Sequence, residues 1–250
     1  MLRVVGVWRV LRGIVHVLAG ALLCAFVFPF LKTPQRLHRV GRWCARMLEL
    51  LGVALHASGT PRPGATLLVA NHVSWLDILV INAVAPARFV SKADVRAWPL
   101  LGWLVACGGT LFIERERKRD ALRVVHQVAA ALGAGDTVAV FPEGTTGDGH
   151  ALLPFHANLL QAAIATETPV QPIALRFSDA SRAVSPAAAY VGDTSLAQSV
   201  WWVVTARGLQ AHVQWLPAQG SRHLDRRALA ERLRENIAQA LGAAPSNTAA

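Results

Sequence analysis

Acidic residues are scarce in this sequence. Fifteen Asp and Glu stand against 25 Lys and Arg, a net charge of +10 over 250 residues. Charged residues of both signs make up only 16% of the chain, hydrophobic residues 53%, and mean hydropathy is +0.37. An ordinary soluble domain runs at about 25% charged, so water is not this chain's only solvent. Repeated long apolar runs, which a multi-span transporter needs, are missing as well. Cysteine occurs three times, as Cys24, Cys44 and Cys107. An odd number at wide spacing gives no disulfide framework and no zinc pattern. Three reduced thiols in a cytosol-facing protein are expected. The chain also lacks a Gly-x-Ser-x-Gly elbow, a P-loop, a dinucleotide glycine fingerprint and a metal-ligand cluster. Those absences exclude a serine acyl-enzyme, a nucleotide cradle and a metal centre. Cys107 is the one rival nucleophile, and no histidine stands near it in sequence. No basic stripe with interleaved aromatics occurs, so nucleic acid is not expected as a partner.

The positive charge is unevenly placed. Residues 1–60 hold eight Lys and Arg against Glu49 alone. Within that region, residues 13–31 contain no charged side chain. As a helix this run would reach about 28 Å, close to the thickness of a bilayer core. No small-x-small cleavage site follows it before Lys32. Both flanks carry arginine, and the positive-inside rule then wants both on the cytoplasmic side. A helical hairpin that dips into the bilayer and returns satisfies this, as does a helix lying at the interface. From 36 to 51, Leu37, Val40, Cys44, Met47, Leu48 and Leu51 recur at helical spacing, with Arg39, Arg42 and Arg46 opposite. A basic amphipathic helix after an apolar one reads as a membrane-surface anchor on anionic lipid.

Gly59-Thr60-Pro61-Arg62-Pro63-Gly64 has linker chemistry. Three parts are therefore expected: membrane-associating helices over 1–58, a catalytic domain over 59–242 and a frayed tail over 243–250. Strand-like apolar runs appear at 66–70, 88–91, 110–113, 137–141, 170–177, 189–191 and 212–216. Helical stretches lie between most of them, at 77–84, 99–106, 119–132, 157–166 and 196–206. Leu229, Leu233, Ile237 and Leu241 mark a terminal amphipathic helix over 225–241. Alternating strands and helices predict an α/β fold, a mostly parallel mixed sheet flanked by helices, carrying an N-terminal apolar and amphipathic anchor.

Four segments carry chemistry. In Asn71-His72-Val73-Ser74-Trp75-Leu76-Asp77, the histidine and the carboxylate sit at a strand-to-helix transition. Ser74 and Asp77 read as a capping box, which accounts for both without catalysis but leaves His72 unexplained. The functional reading puts the imidazole at a strand's carboxyl end, where ligands of open α/β sheets bind. Asp77 would hold its tautomer and stabilise the imidazolium, and His72 would take a proton from an alcohol. Phe141-Pro142-Glu143-Gly144-Thr145 places a glutamate on a turn after a second apolar strand, and by itself is a plain turn. Gly109 to Arg115 ends a third strand in arginine, an anion site or the opening charges of a helix. Thr168 to Leu175 is an apolar strand with two prolines, an edge or bulged strand by itself.

Taken together and in this order, the four segments resemble the glycerolipid acyltransferase family, which includes the lysophosphatidic acid acyltransferases. The family's His-x-x-x-x-Asp is matched by His72 and Asp77, and its Gly-x-x-Phe-x-x-Arg by Gly109, Phe112 and Arg115. Its Phe-Pro-Glu-Gly-Thr is matched by Phe141 to Thr145, and its Pro-containing strand by Pro169 to Ile173. The resemblance implies acyl transfer from acyl-CoA or acyl carrier protein to a lysolipid hydroxyl, with no cofactor beyond the acyl donor. It also implies His72 and Asp77 as the catalytic pair, and Lys92, Arg115, Glu143, Gly144 and Thr145 as acceptor-binding positions. The location implied is the cytoplasmic face of a bacterial inner membrane. Two positions depart from the family's pattern. Thr146 stands where Arg is usual and His156 where Lys is frequent, and both changes remove a fixed positive charge. Each lost charge-assisted contact to a phosphate costs about 1.5–3 kcal/mol. The acceptor is therefore 1-acyl-glycerol-3-phosphate or lyso-ornithine lipid, since residues 143–149 also resemble bacterial enzymes that acylate the latter. Two other classes stay open: a non-catalytic membrane-docked lipid-binding protein, and a hydrolase using the same pair on water.

Overall fold

The computed structural model describes residues 2–113 and 118–242. Arg115 and the tail over 243–250 lie outside the described residues. Two helices lead the chain, α1 (Leu2–Phe26) and α2 (Thr33–Leu51). There follow β1 (Ala54–Ser58), β2 (Thr66–Ala70), α3 (Leu76–Val84), β3 (Arg88–Lys92), α4 (Leu101–Cys107) and β4 (Leu111–Ile113). The chain continues with α5 (Lys118–Gly133), β5 (Thr137–Val140), α6 (Leu160–Ala165), β6 (Val170–Ser178), α7 (Leu196–Thr205), β7 (Gln210–Trp215) and α8 (Arg226–Leu241).

The seven strands form one sheet in the order β1-β7-β6-β2-β5-β3-β4. Every neighbouring pair is parallel except β6 and β7. This is the expected mostly parallel mixed sheet. Strand residues alternate between two cores, as the pleat requires. Leu68, Ala70, Ala139, Ile173 and Leu175 face α2, α3 and α7 on one side. Leu67, Val69, Val138, Val140 and Val170 face α5, α6 and α8 on the other.

Two local expectations fail. Residues 189–191 form no strand. Tyr190 instead donates its N–H to the Val73 carbonyl at 3.0 Å, so this segment is a loop folded onto the end of β2. Conversely, residues 54–58, read with the N-terminal helices, form the edge strand β1 beside β7. Ala54-Leu55-His56-Ala57-Ser58 holds no β-branched residue and is mostly exposed, so only the ladder with β7 marks it as a strand.

The leading helices α1 and α2 pack side by side as a helical hairpin. The first starts earlier than the uncharged run and stops at Phe26, because Pro29 sits in a short 3-10 turn over Phe28–Phe30. It is the only helix among the described residues long and apolar enough to cross a membrane. It is also fastened along its length to the rest of the fold. Arg9 donates from Nη1 to the Val204 carbonyl at 2.8 Å. His16 stacks on Trp43 at 4.9 Å, and each side chain bonds the other's backbone carbonyl.

The α2–α3 contact is closest at Gly41. A Cβ there would lie 2.7 Å from Pro86 Cγ and 2.9 Å from the Asn82 carbonyl. Gly41→Ala should therefore destabilise the fold by about 1–3 kcal/mol through overpacking. Thermal unfolding in detergent checks this. An unchanged midpoint would mean that the two helices separate freely.

Candidate active site

The strand β2 ends by exchanging backbone pairing for a side chain. Its last ladder pair is Ala70 with Ile173. Asn71 then donates from Nδ2 to the Leu175 carbonyl at 2.9 Å and accepts the Leu175 N–H on Oδ1 at 2.8 Å. One carboxamide thus stands in for the next backbone pair, and the main chain is free to turn at His72.

His72 Nδ1 lies 2.7 Å from Asp77 Oδ2. The same oxygen accepts the N–H groups of Val73 at 2.7 Å and Ser74 at 2.9 Å. Asp77 is fully buried, and the His72 side chain keeps 20% of its surface. The capping box is only half made. The acid reaches back to the Ser74 N–H, but Ser74 Oγ is buried without a partner among the described residues, and the helix begins after Trp75. The carboxylate is recruited by the imidazole instead, and this draws residues 72–77 into a closed ring. Phe141 stacks on the imidazole at 4.0 Å and 10°. With Nδ1 donating to Asp77, Nε2 is the acceptor nitrogen. It has no partner among the described residues and can take a proton.

A narrow cleft opens beside the ring, lined by His72, Val73, Glu143, Gly149, His150 and Leu241 among others. Glu143 is buried, and its carboxylate is engaged internally. Oε1 accepts the His72 N–H at 3.1 Å, and Oε2 accepts the Leu153 N–H at 3.4 Å. Burial, first, pushes its carboxyl from an ordinary 4.5 up to about 7. The two N–H bonds oppose that rise, the neighbouring Asp77 charge adds to it, and the Arg234 guanidinium opposes it. Gly144 has φ +71, which glycine alone adopts without strain, and its N–H closes the turn onto the Phe141 carbonyl at 3.1 Å. Thr145, the next residue, is exposed. Thr146 donates its hydroxyl to the Tyr190 carbonyl, tying this turn to the loop over Val73. His156 is exposed and bonds through its N–H to the Pro142 carbonyl.

Comparison with known proteins fits this geometry. The family model described as Acyltransferase matches residues 53–176, which carry all four segments. The lyso-ornithine lipid O-acyltransferase of Pseudomonas aeruginosa is 37% identical over 218 residues, 86% of this chain and 84% of that protein. The chain belongs to the glycerolipid acyltransferase family. A second member, the 1-acyl-sn-glycerol-3-phosphate acyltransferase of Neisseria meningitidis, is 35% identical over 79% of this chain and 77% of its own length. The crystal structure of the 1-acyl-sn-glycerophosphate acyltransferase PlsC from Thermotoga maritima shares the fold. Its TM-score is 0.67 at 18% identity, over 94% of this chain and 96% of that one. The protein is thus an acyltransferase, and its α/β sheet is the family's.

Of the residues singled out in this acyltransferase, the fold brings His72, Asp77, Glu143 and Gly144 together at the carboxyl ends of β2 and β5. Lys92 closes β3 at the same edge, with its backbone paired to Ile113 of β4. Arg115 falls just past the described end of β4. Two participants escaped the sequence reading. Asn71 gave a signal, an amide at the last position of an apolar strand, but its partner is 104 residues away. Arg234 gave another: it lies within the buried stripe of α8, among Leu229, Leu233 and Ile237.

The raised carboxyl of Glu143 has a consequence for stability. The folded protein keeps a proton there that the unfolded chain releases above about 4.5. The group therefore favours the fold below that pH, and the contribution is lost as pH rises to about 7. The full span corresponds to about 3 kcal/mol. Glu143→Gln should be more stable than the wild type at pH 8, with an advantage that shrinks at pH 5. Urea unfolding at the two pH values measures it, and an equal difference at both would contradict the assignment.

Proposed function

We propose that this protein transfers an acyl group directly from a thioester, acyl-CoA or acyl carrier protein, to the free hydroxyl of a lysolipid, with His72 as general base. The observation that carries the proposal is the 2.7 Å bond from His72 Nδ1 to a fully buried Asp77 beside an open cleft. Nε2 takes the hydroxyl proton as the oxygen attacks the thioester carbonyl. The C–S bond breaks, the ester C–O bond forms, and the departing thiolate takes the proton back from the imidazolium. Asp77 holds the ring and stabilises its charged form. The Gly144 N–H is spent inside its own turn, so the backbone N–H of exposed Thr145 is the donor on that turn assigned to the oxyanion.

The acceptor favoured is lyso-ornithine lipid. Thr146 is tied to Tyr190 rather than offering charge, and His156 points outward on the surface, so the two positions that depart from the family's pattern offer no fixed cation. The Pseudomonas aeruginosa relative of that name supports the choice. Lys92 at the end of β3, Arg115 of the sequence motif and the Neisseria meningitidis relative favour lysophosphatidic acid as the second reading.

We infer that the reaction runs at the cytoplasmic face of the inner membrane, with α1 lying in one leaflet. Its outward face is apolar and exposed through Val4, Val7, Trp8, Leu11, Val15, Leu22 and Phe26. Trp201 and Trp202 of α7 are also exposed, and Gly6 of α1 packs against Trp201. The bonds from Arg9 and His16 hold α1 against the domain, where a spanning helix would have to leave it.

Two measurements test this reading. His72→Ala should keep vesicle binding and lose acyl transfer by roughly 10²–10⁴-fold. An acceptor screen in membranes should give faster acylation of lyso-ornithine lipid than of lysophosphatidic acid. Transfer to glycerol phosphate monoesters alone would overturn the acceptor choice, and thioester breakdown without any acceptor would point to a hydrolase.

A further inference from the structure

The terminal helix α8 reaches the reaction centre from behind. Its buried stripe is apolar except for Arg234, whose side chain is 7% exposed. A guanidinium is placed in such a stripe only where its donors are met. Nε donates to the Leu153 carbonyl at 3.2 Å and Nη2 to the Leu152 carbonyl at 3.3 Å. Nη1 lies 3.4 Å from Oε1 of Glu231, a carboxylate that stays mostly in solvent. The Leu153 N–H in turn donates to Glu143 Oε2, and Glu143 Oε1 accepts the N–H of His72. An unbroken series of bonds thus runs from α8 through the strap at 152–153 and the glutamate to the main chain of the proposed base.

We propose that Arg234 is a positioning residue for acyl transfer: it clamps the 152–153 strap so that Glu143 holds the His72 backbone in register with Asp77. This rests on the reading of His72 as the base. The charge matters as well as the geometry. An ionised carboxylate accepts both N–H groups. A protonated one turns an O–H toward one of them and loses that bond, and the bonds it keeps are weaker. The groups facing Glu143 are Asp77 and His72 from the β2–α3 loop, His150 from its own loop and Arg234 from α8. Arg234 is the one whose fixed positive charge favours the ionised form, against burial and against Asp77. Without it, Glu143 keeps its proton to higher pH, and the strap and the His72 turn loosen together.

The test uses the full chain in detergent or in membranes, with Arg234→Met, Arg234→Lys and His72→Ala compared by pH–rate profile, by KM for each substrate and by thermal unfolding. In Arg234→Met, the acid limb of kcat should move to higher pH, since the one fixed positive charge favouring the ionised carboxylate is gone. KM should change little. Arg234→Lys keeps the charge but cannot reach both carbonyls, so its acid limb should stay in place while kcat falls. A folded Arg234→Met with the wild-type profile would overturn the proposal. If that variant does not fold, Arg234→Lys decides: wild-type kcat at all pH values overturns it, and a lowered kcat with an unmoved limb supports it. His72→Ala separates the two levels. Full activity there would sink the base itself, whereas an inactive His72→Ala beside unaffected Arg234 variants would sink the clamp alone.

Discussion

The structure is organised around one oxygen, Oδ2 of Asp77. A fully buried carboxylate must find donors or give up its charge. Here the donors are an imidazole and two backbone N–H groups, all from the six residues that precede α3. Because three bonds converge on one atom, the path of the chain from His72 to Ser74 is prescribed by that atom's position. Leaving a buried carboxylate oxygen without one of these donors costs about 1–3 kcal/mol, so the loop has little freedom to wander. The surrounding structure works to keep it there. Phe141 covers the face of the ring, Gly147 donates its N–H to the His72 carbonyl, Tyr190 donates to Val73, and Glu143 accepts from His72.

The sheet supplies the place for that loop. Strands β2, β3, β4 and β5 are parallel, so their carboxyl ends open on one edge, and the crossover helices keep both faces dry. The edge is where backbone pairing stops and side chains take over, as Asn71 does against Leu175. The hairpin of α1 and α2 packs against the same domain, with an exposed apolar face along α1. Helix α2 packs on α3 through Gly41, and α3 begins within the ring that holds Asp77. The helical hairpin and the loop that carries the imidazole are therefore joined through α3.

Much of this was legible in the residues. Alternating apolar runs marked six of the seven strands, because burial on both faces leaves a run of Val, Leu and Ala that nothing else explains. His72 stood out because the local helix-start chemistry accounted for its neighbours and not for it. The loop at 189–191 misled because Ala189, Tyr190 and Val191 have strand-like character, yet Tyr190 bonds the Val73 carbonyl in the loop beyond β2 and joins no ladder. Strand β1 was invisible for the opposite reason: Ala54 to Ser58 owes its conformation to β7, more than 150 residues later. Glu143 lines the cleft beside His72, and what its sequence context gave no sign of is that its carboxylate also bonds the backbone of two loops.

What the sequence determined by itself is local and periodic: which segments are helix or strand, where apolar faces lie, and that a histidine and an acid recur at a spacing suited to one turn. Those properties follow from side-chain sterics and hydrophobicity acting over a few residues. What only the tertiary structure decided is which distant groups finish the site. The Leu175 backbone under Asn71, the Tyr190 carbonyl above Thr146 and the Arg234 guanidinium behind Glu143 all come from far along the chain. Their strength comes from burial and from a few tenths of an ångström of approach, and neither exists until the sheet has closed and both layers of helices are in place.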